Sequence, residues 1–337
     1  MSLEPINEKH KAQIVAGTSG RIKGHRFEKQ ISEEFSKIDL TNFDYALPNS
    51  ENKIFKGNPA ILLLKYISRD KKKRIIEVKS HWLGGLATAN QGDKILNENG
   101  EAITGSKSDI LLDITFEDST KDRIGISIKA CSNNAQMALT TCSVFCEMLR
   151  EQDIDVSRNA EIGLKMFCGE DGFRPLDNYV PYDTSNIPND RKARPERWYW
   201  EELPNDVQRE WRQIFTVNQF TITKMLLQCA KTYKTDSFKP TYVLHECSKH
   251  KDIDDCSVAI LSIDELVLFS NLYDSFGLKP KKISKGTYKG IDLAIHQYPH
   301  FGFIQFQPIG NKQNFSELQF NLKSNYYKTF TELICNK

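Results

Sequence analysis

The segment Gly105–Lys129, GSKSDILLDITFEDSTKDRIGISIK, constrains the fold more than any other part of the chain. Two apolar, β-branched runs flank a polar stretch, the pattern of two short strands joined by a turn. A turn at Glu117–Asp122 sets Asp109 opposite Ala130, next to Lys129. Side chains alternate between faces along a strand, so Ser127 and Lys129 share a face, as do Asp109, Leu111 and Asp113. A carboxylate and an amine then converge at one end of a buried hairpin. Such an end can hold a divalent cation beside an activated water, the layout of a metal-dependent phosphodiesterase. The plainer alternative is a half-buried hairpin with a solvated lysine at its edge.

The chain has 337 residues, 39% hydrophobic and 27% charged, enough for one large domain or two ordinary ones. No apolar run reaches the roughly 20 residues of a membrane-spanning helix. The N-terminal MSLEPINEKHKAQ has no apolar segment of the secretory kind. Eight scattered cysteines fit free thiols in a reducing cytoplasm better than a disulfide framework. The net charge is only +2, but basic residues cluster at Arg69–Arg74 (RDKKKR) and Arg191–Arg197 (RKARPER). Such clusters can grip phosphates, or can be solvated turns.

Before the hairpin, Phe27, Ile31 and Phe35 recur every four residues and predict a helix from about Lys23, with Glu28 beside its apolar stripe. Pro59–Ser68 is apolar, helix or strand, and Arg74–Lys79 is strand-like. Gly, Asn and Ala dominate His81–Gly105. After the hairpin, Ala135–Arg150 predicts a buried helix. A polar connection, Gly169–Arg197, carries four prolines; loops of that length are usually functional or mobile. Helices are expected in Trp198–Ala230. Residues 241–275 predict a strand, a second strand at Ser257–Leu261, and a helix opened by a capping box at Ser262 and Glu265. The tail Gly286–Tyr327 is β-rich.

An Asp109 carboxylate alone is a poor Mg²⁺ site, since that ion takes one or two carboxylates together with water and phosphate oxygens. Ser127 stands where a second acid is usual, so a helper carboxylate is needed. Glu28 ranks first, Asp113 second and Glu147 third. The other acid-x-Lys, Glu77-Val78-Lys79, has no well-spaced Asp partner and reads as an ordinary strand. His245, Cys247, His250 and Cys256 match no common zinc spacing.

Gly24-His25-Arg26-Phe27-Glu28 on a first helix, Ser108-Asp109, and Ser127-Ile128-Lys129 together resemble the PD-(D/E)xK nucleases, in particular type II restriction endonucleases. GSKSDI…GISIKACSNNAQMALTTCSVF is similar to members that carry S-x-K, and the tail HFGFIQFQPIGNKQNFSELQFNL is more loosely similar. The chain departs from the motif at Ser108, in place of Pro, and at Ser127, in place of the acid. The resemblance implies an α/β nuclease core over 15–170, a mixed central sheet flanked by helices. Residues 171–337 would form an extension with helices and a β-rich recognition region. It also implies Mg²⁺ held by Asp109 with Glu28 or Glu147, and a Lys129 that holds and helps deprotonate the attacking water. Double-stranded DNA would be cut at a short site by a cytoplasmic homodimer, alongside a cognate DNA methyltransferase. A repair or junction nuclease, and a non-catalytic DNA-binding protein, are the alternatives.

Alternation in the tail puts Gln305 and Gln307 on one face, with Gln319 and Asn321 also outward. Amides of this kind can read adenine edges in the major groove. Lys312 and Lys323 could hold phosphates, as could Arg194 and Arg197, with Trp198 beside them. A neutral polar solvent face is the other reading of that tail.

Overall fold

The computed structural model describes residues 8–50, 52–84, 96–97, 99–103, 105–129, 136–175, 197–229, 238–248, 252–282, 295–308, 317–330 and 333. In chain order the helices are α1 (Glu8–Phe35), α2 (Pro59–Lys71), α3 (Cys142–Arg150), α4 (Arg158–Cys168), α5 (Asn205–Val217), α6 (Gln219–Gln228) and α7 (Ile263–Tyr273). The strands are β1 (Ile54–Lys56), β2 (Ile75–Trp82), β3 (Ile110–Phe116), β4 (Lys121–Lys129), β5 (Gln136–Thr141), β6 (Pro240–Glu246), β7 (Ser257–Ser262), β8 (Gly277–Lys282), β9 (Ile295–Phe301), β10 (Ile304–Pro308) and β11 (Glu317–Leu322). No helix among them is long and apolar enough to cross a membrane.

The fold is α/β, with a mixed sheet flanked by helices and a separate antiparallel sheet drawn largely from the C-terminal third, the class expected from the sequence. The chain divides into two compact units. One comprises Thr18–Ala135, Leu227–Phe269 and Lys323–Lys337. It holds the six-stranded sheet, ordered β1-β7-β6-β4-β3-β2. Only β4 and β6 run parallel there; every other neighbour is antiparallel. Ile31 and Phe35 of α1 and Leu62, Leu63, Tyr66 and Ile67 of α2 bury against Ile110, Leu112, Ile114, Ile124, Ile126 and Leu244. That burial is the main favourable term holding the layer together. Helix α2 starts where Asn58 accepts the Ala60 N–H and Pro59 presets the first turn, and it ends at Lys72 in a left-handed conformation. The capping box at α7 forms as expected: Ser262 Oγ accepts the Glu265 N–H, and the Glu265 carboxylate accepts the Ser262 N–H, each at 3.1 Å.

The β3–β4 turn is tighter than the sequence implied. Thr115 pairs with Lys121 and Ile110 with Ile126, so the register differs by three residues from the expected one. Asp118 accepts the Thr120 N–H, and Ser119 takes a positive φ of 65°. A short left-handed turn thereby replaces the longer polar loop. Its effect is to bring Asp109 beside Ser127 and Ile128.

The other unit comprises Met1–Gly17, Gln136–Leu226 and Ser270–Leu322. Its five-stranded sheet has the order β5-β11-β10-β9-β8, antiparallel throughout. Phe145, Trp211 and Phe215 from the helices stack against Phe306 and Phe320 from the strands. The expected helix Ala135–Arg150 is corrected here. Gln136–Thr141 is an edge strand paired with β11, and the helix begins at Cys142, capped by Thr141. Thr140 and Thr141 favour extended backbone, and ladder pairing overrides the apolar run.

Candidate active site

The site lies in the first unit, where β3 begins and β4 ends. Asp109 directly precedes β3 and is anchored on both sides. Its N–H donates to Ile126 O at 2.8 Å. Its carbonyl accepts from Leu83 N–H at 2.9 Å and from Gly84 N–H at 3.3 Å. Its carboxylate Oδ2 accepts the Ile128 N–H at 2.6 Å and the Ser127 hydroxyl at 3.4 Å. The strand ends themselves fix this carboxylate. The preceding turn is tied down as well: Ser106 Oγ accepts the Ser108 N–H at 3.0 Å, and buried Ser108 donates to Phe238 O at 2.5 Å. Gly125 makes room for that contact, since a Cβ there would meet Ser108 Oγ and lie 2.7 Å from Lys239 O.

Glu28 projects from α1 and is almost fully buried, 7% exposed. Trp82 at the end of β2 donates its indole N–H to Glu28 Oε2 at 3.4 Å. Gly84 lies so close that a Cβ would run into the Glu28 carboxylate. Burial first, and the Asp109 charge second, push Glu28 up to about 7, while Trp82 and Lys129 work the other way. Two carboxylates, Glu28 and Asp109, and the Lys129 amine therefore share one electrostatic neighbourhood. Ser127 is buried and bonded to Asp109, where it can orient the carboxylate.

Lys107 also belongs to this neighbourhood, and sequence reasoning missed it. Desolvation first, then the nearby Lys129, push its ammonium down to about 7, with Asp109 opposing. A single lysine in a polar turn carries no periodic signal. Only its place two residues before Asp109 could have drawn attention to it.

The other helper candidates stand elsewhere. Asp113 sits four residues into the hairpin with both oxygens engaged, by Arg123 Nε at 2.6 Å and His81 Nε2 at 2.9 Å. Burial opposes ionisation there, but those two hydrogen bonds hold its pKa below the ordinary value. Glu147 is on the exposed side of α3, in the other unit. Glu77 and Lys79 form an exposed stretch of β2, as an ordinary strand would.

In the five-stranded sheet, Gln305, Gln307, Gln319 and Gln136 form a hydrogen-bonded chain across β10, β11 and β5, with N···O distances of 3.3, 3.4 and 3.1 Å. Asn321 is corrected: expected to face outward, it pairs with Gln305 across the ladder and is 5% exposed, out of reach of a base edge. Arg194 and Lys312 lie outside the described residues. Arg197 is corrected. It is 2% exposed, donates to Tyr298 Oη at 3.0 Å, and lies over the Tyr199 ring at 4.6 Å. A guanidinium clamped between aromatic rings holds the core of its unit together and cannot reach a phosphate. His245 is likewise a core residue, its ring against Tyr326 and Tyr327. In the basic run, Lys71 pairs with Asp122 and Lys73 with Asp118.

Among the described residues, no group of three or more His, Cys, Asp and Glu side chains is gathered to hold a metal. The pair Glu28 and Asp109 fits a hard divalent cation that keeps water or phosphate oxygens as its remaining ligands. The repulsion that raises Glu28 is what a bound cation would relieve.

No family model matches the chain, and no curated protein matches it. Among solved structures it is similar to the restriction endonuclease MspI in complex with its cognate DNA. The match has 12% sequence identity and a TM-score of 0.37, and covers 77% of this chain and 75% of that chain.

Proposed function

We propose that the chain is a Mg²⁺-dependent endodeoxyribonuclease of the type II restriction class, cutting double-stranded DNA at a short specific site. One observation carries this reading: Glu28 from within α1 converges with Asp109 at the start of β3 and Lys129 at the end of β4, in a partly desolvated place. Glu28 and Asp109 are the residues to hold Mg²⁺. The bound ion would supply positive charge against the phosphate and the leaving oxygen. Asp109 keeps a fixed direction because the Ile128 N–H and the Ser127 hydroxyl hold it. Lys129 has only donors to offer, so its ammonium orients a water through that water's lone pair and meets charge developing on the phosphate. Trp82 holds Glu28 by its indole N–H, and Gly84, with no Cβ, leaves room for that carboxylate.

Base reading is assigned to the amides of Gln305, Gln307 and Gln319, which carry both a donor and an acceptor. A homodimer would match a palindromic site, and a methyltransferase encoded nearby would protect host DNA. Ser127 favours a second reading, a DNA-binding protein that has lost an acid essential for cleavage. Incubation of plasmid DNA with Mg²⁺ separates these. Discrete fragments support restriction, and nicks dependent on DNA structure support a repair or junction nuclease. Binding without cutting supports the module.

A further inference from the structure

The six-stranded sheet ends in β2: no strand among the described residues pairs with its outer edge, and at its start the Ile75 carbonyl accepts the Tyr45 hydroxyl. Eight residues long, it is exposed at Ile76, Glu77 and Lys79, with Ile76 54% exposed. A groove of about 560 Å³ runs beside it, lined by Phe35, Ile38, Leu40, Tyr45, Ile76 and Val78 among others. An open edge with an apolar side chain is a template for another strand, and soluble proteins usually blunt such edges. Here the edge carries one bulge, between Ile75 and Glu77, and leaves the stretch to Trp82 regular.

The charges along that stretch select a partner. Antiparallel pairing of two copies about a two-fold axis through the sheet must place some residue opposite itself. Centred on Glu77 or on Lys79, the pairing sets like charges face to face. Centred on Ser80, it sets Lys79 against His81. Centred on Val78, it places Glu77 of each copy opposite Lys79 of the other, twice over, and Ile76 opposite Ser80. Lys79 is available for this role. Its cross-strand neighbour Asp113 already spends both oxygens on Arg123 and His81. Among the described residues Glu77 is bonded only by the Thr115 hydroxyl, at 3.0 Å, on an exposed surface.

We infer that β2 is a homodimerisation edge, pairing antiparallel with β2 of a second copy about Val78 and locked by reciprocal Glu77–Lys79 contacts. The inference assigns a surface that the nuclease reading leaves open, and it holds or fails without reference to the reaction catalysed.

Sedimentation equilibrium on the full chain tests it, with circular dichroism confirming the fold of each variant. The unaltered chain should dimerise. Lys79→Glu and Glu77→Lys each set like charges opposite one another twice, and should weaken the dimer by about tenfold or more. The double variant Glu77→Lys with Lys79→Glu should restore self-association. Mixed with the unaltered chain, it should not form the hybrid dimer, because every opposed pair would then be like-charged. A chain that stays monomeric at the highest concentration it tolerates overturns the inference. So does a dimer that the single variants leave intact, or a double variant no tighter than either single one. Loss of plasmid cleavage in Lys129→Ala without loss of dimer would bear on the nuclease reading alone.

Discussion

The Ile128 N–H and Asp109 Oδ2 lie 2.6 Å apart, so the carboxylate placed at the candidate centre also closes the β3–β4 ladder. Asp109 thereby has two separable roles, structural acceptor and charged ligand. Asp109→Asn keeps an acceptor oxygen for Ile128 and removes the charge. Asp109→Ala removes both and leaves a backbone donor unmatched, at a cost of about 1–3 kcal/mol. Both variants should lose Mg²⁺-dependent cleavage, and only the alanine variant should lose appreciable stability in urea unfolding. Equal stability of the two would show that the hydrogen bond contributes nothing to the ladder.

Glu28 gives a pH signature. Its ordinary value is 4.5, and in the folded chain burial and then Asp109 raise it to about 7. Between those values the folded state keeps a proton that the unfolded state releases. Stability is therefore full below the unfolded value and falls as pH rises through the window. With a chelator present, Glu28→Gln should flatten the fall in melting temperature between about pH 4.5 and 7. Parallel profiles for the two proteins would place Glu28 in a solvated setting. Adding Mg²⁺ above neutral pH should stabilise the unaltered chain and leave Glu28→Gln unchanged.

Gly125→Ala tests the close packing that seats Asp109. The new Cβ would meet Ser108 Oγ and the main-chain oxygen of Lys239, and main chain yields little. A loss of roughly 1–3 kcal/mol is expected, together with weakened cleavage. Unchanged melting would mean that the turn at Ser106–Ser108 shifts freely.

Arg197→Ala should act on stability. The side chain donates to Tyr298 and stacks on Tyr199 in a buried setting. Its removal is expected to cost about 2–4 kcal/mol. The salt dependence of DNA binding should stay the same, since no phosphate contact is lost. A flatter salt slope in a fully folded variant would return Arg197 to the DNA interface.

Much of the site was legible in the sequence because its signals are local. The four-residue recurrence of Phe27, Ile31 and Phe35 fixes which way α1 faces and so turns Glu28 toward the sheet edge. Apolar alternation fixes β3 and β4, and with them Asp109 and Lys129 at one end. The register was not legible. A polar run such as Glu117–Asp122 shows that a turn exists, but the positive φ at Ser119 that closes it depends on three-dimensional pairing. Arg197 was misread because a charge in an Arg-rich stretch looks solvated, whereas two of the rings that cover it, Phe167 and Tyr298, come from distant parts of the chain. Lys107 has no pattern at all, and its meaning comes only from Lys129 and Asp109 beside it.

The most direct test of the central claim compares single-turnover cleavage of plasmid DNA by the unaltered chain and by Lys129→Ala in saturating Mg²⁺, with DNA affinity measured in parallel. The account predicts discrete fragments from the unaltered chain. The variant should bind DNA about as tightly yet cut it at least about a hundredfold more slowly, in line with the loss of a single positioned donor. Cleavage by Lys129→Ala at the unaltered rate would contradict the assignment of this site.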